Sequence, residues 1–594
     1  MNRIIRTSIF TIILAALLSF QYSIVYSQAA SDPPFKVKID FNRWHDVPEV
    51  YFDMERLQKA FPKFLTLEKY GESVDGRALM MMTINNPDTG PEEDKAAMYI
   101  EANIHGNEIQ GSEICLYTIW YLMEYYTRTE KIKKLVDERV FYITPTVNPD
   151  GHQYFCEGTG GGARTGHMSL DDDNDGLYDE DRPNDLNGNG VIEQIRKYVP
   201  GQGTHRISRV DPRLMETVPF GEKGDYILLG SEGIDDDGDG RVNEDDLGSY
   251  DQNRSFATDW QPSYIQGGAT DYPFQQPESR AVNDFLMSHP NISGAQTYHN
   301  SAGLILRGPG DENFPEYPSS DRAAYDEIGY NGERILPYYE YAITWDGLYT
   351  IHGGFTDWAN DGLGIIAFLN ELWNRGQYFN SPALKEQQQD PNSPISSSKS
   401  SYFFDDFLEF GDQFMEWKEF DHPQYGKVEM GGSWKKTTRR LPPRFMTEEM
   451  CHRNMAFTLY QADEMPMMQA GETKVEKIAD DVYKVWVDFT NPKVAPTVLT
   501  RAAENKVVRP DLLTLDGNVE IISASWINNK LVQPYRPSIL QEIDQNDLKR
   551  LIIRNGLTGK TTRTIQYIVK GSGQINLLWD SVKGGKARTT VNLR

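Results

Sequence analysis

Cysteine is scarce in this chain, and its scarcity argues against two kinds of chemistry. Only three cysteines occur in 594 residues, at Cys115, Cys156 and Cys451. Because their number is odd and their spacing wide, they cannot form the dense disulfide framework of a small secreted domain. None lies in a C-x-x-C or other recognisable nucleophile motif, which argues against thiol catalysis. We expect all three to be packing residues.

Positive charge is also in short supply. Lysine and arginine total 60 against 87 aspartate and glutamate residues, a formal net charge of −27. Phosphate backbones would repel so acidic a chain, so we exclude nucleic acid as a partner. This excess of negative charge is typical of a protein that is soluble outside the cell, or of one that binds cations. With 39% apolar residues the chain is globular, and its length predicts at least two domains.

Long apolar runs are absent except near the start of the chain. Residues 9–20 are mostly apolar, follow Arg3 and Arg6, and precede small residues near Ser27. This order predicts a cleaved signal peptide over residues 1–27, and therefore an exported protein of the periplasm or the extracellular space. The alternative is a membrane anchor, but a spanning helix needs roughly 20 residues. We predict no stable membrane span, and the oligomeric state stays open.

From residue 41 onward, hydrophobic periodicity predicts an α/β fold. Short apolar runs alternate with helical patterns, as in a sheet covered by helices on both faces. Between about 158 and 249 the pattern gives way to Gly-, Asp- and Asn-rich sequence, which predicts a long insertion of turns. A serine-rich stretch at 393–401 predicts a surface loop. The predicted strands are 78–84, 97–104, 140–147, 295–306 and 364–368, and the predicted helices are 107–126, 278–288 and 447–462.

The pattern changes after Met465. Short alternating runs separated by Gly, Asn and Asp continue to the end of the chain, which is typical of β-strands joined by turns. They predict a second, all-β domain over residues 470–594, built as a sandwich. This part contains no histidine and no clustered carboxylates, so we assign it no chemistry.

His105 and Glu108 lie where a predicted strand gives way to a helix. An imidazole and a carboxylate three positions apart at such a junction can face one cation. The pair alone is a weak signal, because H-x-x-E arises often by chance and a loop histidine can simply be capped. The preceding strand favours a site, since α/β sites form at the carboxyl ends of strands.

A zinc hydrolase site needs three protein ligands and one open position, so a third ligand is required. His299 directly follows a strand-like run and is our candidate. His152, His167 and His205 are alternatives, and they rank lower because no strand holds them rigid.

Catalysis at such a site also needs a carboxylate that does not bind the metal. Glu371 ends the apolar run G-L-G-I-I-A-F-L-N-E-L-W. Aliphatic neighbours would raise its pKa toward a value suited to accepting and donating protons. A capping or helix-start role fits this residue equally well when it is considered alone.

Five motifs, in this order, resemble those of the zinc metallocarboxypeptidases, the carboxypeptidase A-like family. They are H-G-N-E at His105, N-P-D-G at 148–151, N-R at Asn253, the His299 segment, and Y-T-I-H-G-G-F-T-D-W followed by N-E-L. The resemblance covers about residues 40–463 and implies a domain of that extent, with a mixed eight-stranded sheet flanked by helices. It also implies one catalytic Zn²⁺, with His105, Glu108 and His299 as ligands. Glu371 matches the general base, which later acts as general acid.

The resemblance implies substrate-binding residues as well. Asn253 and Arg254 match the pair that binds the terminal carboxylate of the substrate, a group that suits a planar guanidinium. Tyr349 matches the mobile tyrosine that closes over the substrate. The arginine that stabilises the oxyanion falls at Arg164, with Arg196 as an alternative.

Thr356 falls near the floor of the specificity pocket that the resemblance implies. Threonine is neither charged nor large and apolar, so the preferred substrate side chain stays undetermined.

Three acidic segments of the insertion resemble calcium-binding loops. Oxygen-bearing side chains alternate with other residues, and a glycine at the sixth position permits the sharp turn. The alternative is a solvated acidic loop, since flanking helices are absent. Bound Ca²⁺ would be structural, ordering the loop that carries Arg164. The candidate ligands are Asp171, Asp173, Asp175, Asp179, Asp185, Asn187, Asn189, Glu193, Asp235, Asp237 and Asp239.

Together these features predict an exported zinc metallocarboxypeptidase that removes the C-terminal residue of peptides or proteins. Three alternatives stay open: a peptidase of cell-wall (murein) peptides, a zinc deacylase of small amides, and a catalytically vestigial, calcium-stabilised binding protein.

Overall fold

The computed structural model describes residues 34–159, 163–171, 176–209, 211–236, 238–374, 402–527 and 540–594. The predicted signal peptide and the predicted serine-rich loop lie outside these residues. The chain divides into two units, Met1–Ile39 and Asp40–Arg594, and the described residues of the first form no helix or strand. No described helix combines the length and apolar character that crossing a membrane requires.

The second unit holds all the described helices and strands. The strands, in chain order, are β1 (Leu65–Glu72), β2 (Ala78–Ile84), β3 (Ala97–Ala102), β4 (Val140–Thr144), β5 (Gln194–Gly203), β6 (His205–Ile207), β7 (Met215–Thr217), β8 (Gly224–Ser231), β9 (Ile292–Asn300), β10 (Leu304–Arg307), β11 (Glu340–Ile343), β12 (Ile366–Leu372), β13 (Lys418–His422), β14 (Gly426–Gly431), β15 (Gln469–Ala479), β16 (Val482–Asn491), β17 (Asp511–Asp516), β18 (Val519–Ile527), β19 (Leu540–Glu542), β20 (Arg550–Ile553), β21 (Thr561–Gly571), β22 (Gly573–Ser581) and β23 (Gly585–Leu593). The longer helices are Val47–Ala60, Gln110–Tyr125, Glu130–Glu138, Pro149–Glu157, Pro277–Ser288, Ser319–Ile335 and Arg444–Glu464, and the short helical segments include Gln252–Arg254, Thr344–Gly347, Phe355–Asp357, Lys436–Arg440 and Thr500–Asn505.

The predicted mixed eight-stranded sheet is confirmed. Its strand order is β1-β2-β4-β3-β9-β12-β10-β11. The four central strands, β4, β3, β9 and β12, are parallel, whereas β1, β2 and β10 are antiparallel to their inner neighbours. Because parallel strands end at the same edge, the residues at or just after the carboxyl ends of β3, β9 and β12 are brought together.

Helices cover both faces of this sheet, as the periodicity predicted. Consecutive residues of β12 point to opposite faces. Ala367 belongs to a core cluster with Val282 and Phe285 of the helix Pro277–Ser288, whereas Phe368 belongs to one with Phe457 of the helix Arg444–Glu464. All five side chains are buried, so the central strands have a core on each side.

Two predicted elements differ from the structure. The predicted strand 295–306 is two strands, β9 and β10, separated by a turn in which Gly303 has a φ of 74°. The two are not neighbours, because β12 lies between them. The polar residues at 299–301 and the turn residue Gly303 mark this reversal in the sequence, and treating 295–306 as one run passed over them. The insertion is also more regular than predicted, since β5 to β8 join β13 and β14 in a six-stranded sheet.

The C-terminal region is the predicted β-sandwich. A five-stranded sheet, β15-β16-β21-β18-β19, faces a four-stranded sheet, β20-β17-β22-β23. One buried cluster joins them, with Val485 and Tyr567 from the first sheet and Leu513, Leu577 and Trp579 from the second. The short helix Thr500–Asn505 is the one departure from an all-β pattern among the described residues of this region.

Candidate active site

The turn after β3 places His105 and Glu108 at the carboxyl edge of the sheet. Asn103 enters the turn with a φ of 59°, which asparagine tolerates, and its Nδ2 donates to the carbonyl oxygens of His105 and Gly106, both at 3.0 Å. A Cβ at Gly106 would lie 2.3 Å from the backbone carbon of Gly151. The glycine of H-G-N-E is therefore required by the close approach of N-P-D-G.

His105, Glu108 and His299 converge on one point. Their closest atoms are the two Nδ1 atoms and Oε2 of Glu108, with separations of 3.1 Å between the histidines, 3.2 Å from His105 to Glu108 and 3.1 Å from His299 to Glu108. Zinc bonds of about 2.0–2.2 Å in a tetrahedron require ligand atoms about 3.3 Å apart. The three atoms therefore have the spacing of a tetrahedral zinc site, and all three residues are buried.

The far nitrogen of each imidazole is also held. Nε2 of His105 lies 3.0 Å from Oδ1 of Asp251, and Nε2 of His299 lies 3.1 Å from Oγ1 of Thr297. Such contacts fix the ring orientation and leave Nδ1 free to bind metal. Our sequence reasoning missed Asp251, although a carboxylate two residues before the N-R motif was an available signal.

The buried charges of the triad determine one another's protonation. Burial alone would raise the pKa of Glu108, but the imidazoles of His105 and His299 hold it well below its usual value. Burial and the charge of Arg164 act to lower the pKa of His105, yet Asp251 and Glu108 raise it overall. Burial lowers the pKa of His299. The carboxylate of Glu108 is therefore ionised, as a metal ligand must be.

Glu371 lies within β12, beside the triad. It pairs in register with His299 on the parallel neighbour β9, which places both side chains on the same face. Burial and the charge of Glu108 raise the pKa of Glu371 to about 7, against the opposing charges of His105 and Arg164. A carboxyl group with this pKa can accept and release protons near neutrality. A helix-start role is wrong, because Glu371 is in a strand.

Two arginines reach the same oxygen of Glu108. Arg164 and Arg440 each place NH1 3.2 Å from Oε1, while NH2 of Arg164 also lies 3.2 Å from Oδ2 of Asp251. The alternative Arg196 lies in the six-stranded sheet, where it pairs with Glu429 at 2.6 Å. Sequence reasoning missed Arg440, which comes 332 residues after Glu108 and belongs to none of the five motifs.

The predicted substrate-binding residues surround the same edge. Asn253 and Arg254 are buried and are separated from Asp251 by one residue, and Oδ1 of Asn253 accepts a hydrogen bond from the backbone N–H of Phe355 at 2.9 Å. This bond ties the N-R motif to the helical turn that contains Thr356, which is also buried. Tyr349 is 50% exposed.

The competing histidines have other partners. Nε2 of His152 lies 3.0 Å from a backbone oxygen, Nδ1 of His167 lies 2.8 Å from Asp75, and His205 contacts two threonines. Two further groups of potential metal ligands occur among the described residues: Asp75, Asp150 and His167, and Asp259, Asp311 and His352. In the first, Arg77 already pairs with both carboxylates.

The acidic segments contribute to none of these groups, as far as the chain is described. Asp173, Asp175 and Asp237 lie outside the described residues. In the second segment, the carboxylate of Asp185 accepts hydrogen bonds from the backbone N–H groups of Gly188, Asn189 and Gly190. These contacts close a turn and do not themselves indicate a cation. Comparable turn contacts involve Asp171, Asn189, Asp235 and Asp239. Asp179 instead accepts a hydrogen bond from the backbone N–H of Gly248, and Glu193 accepts one from the side chain of Asn187.

Comparison with known proteins links the site to a family. A family model described as "Zinc carboxypeptidase" matches residues 50–189 and 230–392, together just over half of the chain. The interval between the two matches contains all of β5, β6 and β7 and most of β8. A model described as a domain of unknown function matches residues 468–592, the β-sandwich.

Curated relatives match only a part of their own length. The chain is 32% identical over 117 residues to "Inactive metallocarboxypeptidase ECM14" of Saccharomyces cerevisiae, covering 19% of this chain and 26% of that protein. It is 30% identical over 152 residues to carboxypeptidase D of Drosophila melanogaster, covering 24% and 11%. The solved structure of bovine thrombin-activatable fibrinolysis inhibitor in complex with tick carboxypeptidase inhibitor aligns at 17% identity and a TM-score of 0.42, covering 71% of this chain and 97% of that one.

Proposed function

Because the chain belongs to the zinc carboxypeptidase family, we propose that it is an exported metallocarboxypeptidase that hydrolyses the C-terminal bond of peptides or proteins. The observation that carries the proposal is the convergence of His105, Glu108 and His299 at tetrahedral spacing beside Glu371.

We propose one Zn²⁺ held by His105, Glu108 and His299. When bound, zinc would act as a Lewis acid that lowers the pKa of water and polarises the scissile carbonyl. Asp251 and Thr297 keep both imidazoles oriented for this task.

Glu371 acts as the general base and then as the general acid. Its carboxylate accepts a proton from the attacking water and later delivers it to the nitrogen of the leaving amine. The raised pKa of Glu371, about 7, suits both transfers. Hydrogen-bond donors of Arg164 stabilise the negative charge that develops on the carbonyl oxygen.

The remaining residues hold the end of the substrate. Arg254 binds the terminal carboxylate, since its Nε is buried without a hydrogen-bond partner among the described residues. Asn253 assists it. Tyr349, half exposed, closes over the bound residue, and Thr356 contacts its side chain.

Two peptides that differ only in the chemical group at the C-terminus test this function. The zinc-loaded full-length protein should cleave a peptide with a free C-terminal carboxylate and spare its C-terminal amide. Glu371→Gln should lower kcat by about 10²- to 10⁴-fold with zinc binding retained, because proton transfer is lost. Glu340→Gln, at an exposed position in the same sheet, is the matched control. Equal rates for Glu371→Gln and wild type would reject the base.

A vestigial binding protein is the rival that a specific observation favours, because one relative is named inactive. That rival predicts zinc binding without hydrolysis of any peptide in a panel that includes cell-wall peptides.

We also propose that Ca²⁺ orders the acidic insertion. Asp181 is buried, and neither of its carboxylate oxygens has a hydrogen-bond partner among the described residues. Burial and the charge of Asp181 raise the pKa of the nearby Glu244 to about 7. A cation between these carboxylates would relieve both effects.

Calcium should therefore raise the melting temperature of the zinc-loaded protein by a few degrees, with kcat unchanged. Asp181→Asn should reduce this shift, and an identical melting curve with and without calcium would count against the proposal.

A further inference from the structure

Three loops beside the proposed substrate pocket bring together a second set of metal-binding side chains. Nδ1 of His352 lies 2.7 Å from Oδ2 of Asp259, and one ligand atom from each of His352, Asp259 and Asp311 lies within 4.8 Å of the others. All three residues are half-buried. We propose that they bind a second divalent transition-metal cation, independent of the catalytic triad.

Backbone hydrogen bonds hold the three loops in place. The N–H of Ile351 donates to the carbonyl of Gly310, and the N–H of Phe256 donates to that of Gly353, both at 2.9 Å. The N–H of His352 donates to Oε1 of Gln266 at 3.0 Å. The loop that carries His352 is therefore fixed on both sides, next to the segments that carry Asp259 and Asp311.

The cluster has an excess of negative charge that a cation would offset. Asp357 is 2% exposed; its Oδ2 accepts the N–H of Gly310 at 2.9 Å, and its Oδ1 has no hydrogen-bond partner among the described residues. Burial and the charges of Asp361, Asp259 and Asp311 raise the pKa of Asp357 to about 7. No lysine or arginine within the described ranges forms an ion pair with Asp259, Asp311 or Asp357. Because Gly310 precedes Asp311, this buried carboxylate adds to the negative charge next to the cluster, which a cation would offset.

The donor set selects the kind of cation. Imidazole nitrogen with carboxylate oxygens suits Zn²⁺, Mn²⁺, Co²⁺ or Ni²⁺, whereas Ca²⁺ and Mg²⁺ prefer oxygen alone. Partial exposure of the three side chains leaves a route for the ion to enter. Because His352 lies between Tyr349 and Thr356, a bound ion would restrain the loop that contacts the substrate, so its expected effect is on KM.

Metal stoichiometry tests the proposal without any need for activity. The metal-free full-length protein is titrated with Zn²⁺ and Co²⁺ by calorimetry, with excess Ca²⁺ present to occupy oxygen-only sites. Wild type should bind two equivalents. His352→Ala and His299→Ala should each bind one, and the double variant none. His205→Ala, which removes a histidine outside every group of potential ligands, should still bind two.

Asp311→Asn is a second variant for the case in which His352→Ala misfolds, since it changes only one half-buried oxygen. It should weaken the affinity for the second metal equivalent at least tenfold. Two equivalents in both His352→Ala and Asp311→Asn would overturn the proposal, as would a single equivalent that His299→Ala abolishes. A protein with two equivalents but no peptidase activity would reject the proposed function and leave the second site standing.

Discussion

The carboxyl edge of the eight-stranded sheet and the core of the C-terminal sandwich are both buried, but the edge buries charged side chains and the sandwich core buries apolar ones. The edge encloses His105, Glu108 and Asp251, whose charges are compensated by one another, by His299 and by nearby arginines. The sandwich core encloses residues such as Leu577 and Trp579. Burial of charge costs free energy, whereas burial of apolar area provides it. The edge is therefore built for chemistry, and the sandwich for stability.

The largest expected effect is on the stability side of this comparison. Trp579 is fully buried, lies 5.3 Å from the ring of Phe489 between centroids, and donates from Nε1 to Asp511 at 2.9 Å. Trp579→Ala should destabilise the C-terminal region by about 3–5 kcal/mol, as for other large-to-small core changes. Denaturant unfolding measures this loss, with Trp579→Phe as a milder control. At denaturant concentrations below the unfolding transition, kcat of the variant should stay within about twofold of the wild-type value. A folded but inactive variant would contradict the assignment of a purely stabilising role to the sandwich core.

The next effect separates the two arginines at the edge. Arg164→Ala should lower kcat by about 10²- to 10³-fold, the usual cost of losing an oxyanion donor. Arg440→Ala should cost about tenfold or less, because its contacts are with Glu108 and the carbonyl oxygen of Asn300, which makes it a positioning residue. Steady-state kinetics and zinc content of both variants measure the contrast.

Arg196→Ala is the control for that pair, since its guanidinium is bound elsewhere. Equal losses for Arg164→Ala and Arg440→Ala would mean that the two share the oxyanion, and a greater loss for Arg440→Ala would reverse their roles.

The residues at the carboxyl edge of the sheet could be predicted from the sequence more completely than those of the surrounding loops, for a physical reason. Strand ends in a parallel sheet converge, so H-x-x-E after one apolar run and His299 after another were candidates for a shared site, and the resemblance to the zinc metallocarboxypeptidases assigned them as the ligand set. Strand periodicity predicted an α/β sheet covered on both faces and the C-terminal sandwich, and the resemblance implied that the first sheet is mixed and eight-stranded. The prediction that β9 and β10 form one strand was wrong, because it passed over the polar residues at 299–301 and the turn residue Gly303, which interrupt the apolar run.

Contacts between loops could not be predicted in this way. Arg440 meets Glu108 across 332 residues, outside the two segments that match the family, and nothing local marks it. His352, Asp259 and Asp311 come from three irregular segments with no period to align them. Such side chains are positioned by backbone bonds such as that from Ile351 to Gly310, which only the folded chain reveals.

The smallest expected effect lies where the two regions meet. Lys583 of the sandwich is buried and donates to the carbonyl oxygen of Ile292, at the start of β9, the strand that carries His299. Burial lowers the pKa of Lys583 from 10.5 to about 7. Between pH 7 and 10.5 the unfolded chain therefore binds more protons than the folded one. Because of this lysine, the free energy of unfolding rises as the pH rises across that window, and it falls as the pH is lowered toward the folded-state pKa of about 7.

From pH 7 to pH 8, wild type should gain about 1 kcal/mol of stability that Lys583→Met lacks, as measured by denaturant unfolding at the two pH values. Lys586→Met, which removes a partly exposed lysine paired with Asp94, is the control and should keep the gain. Other groups titrate alike in both proteins, so the difference isolates Lys583. An equal gain in wild type and Lys583→Met would mean that this lysine stays charged when folded. The sandwich would then bury a charged group against β9, just as the carboxyl edge of the sheet buries charged groups. The contrast between a charged edge and an apolar sandwich would then not hold where the two regions meet.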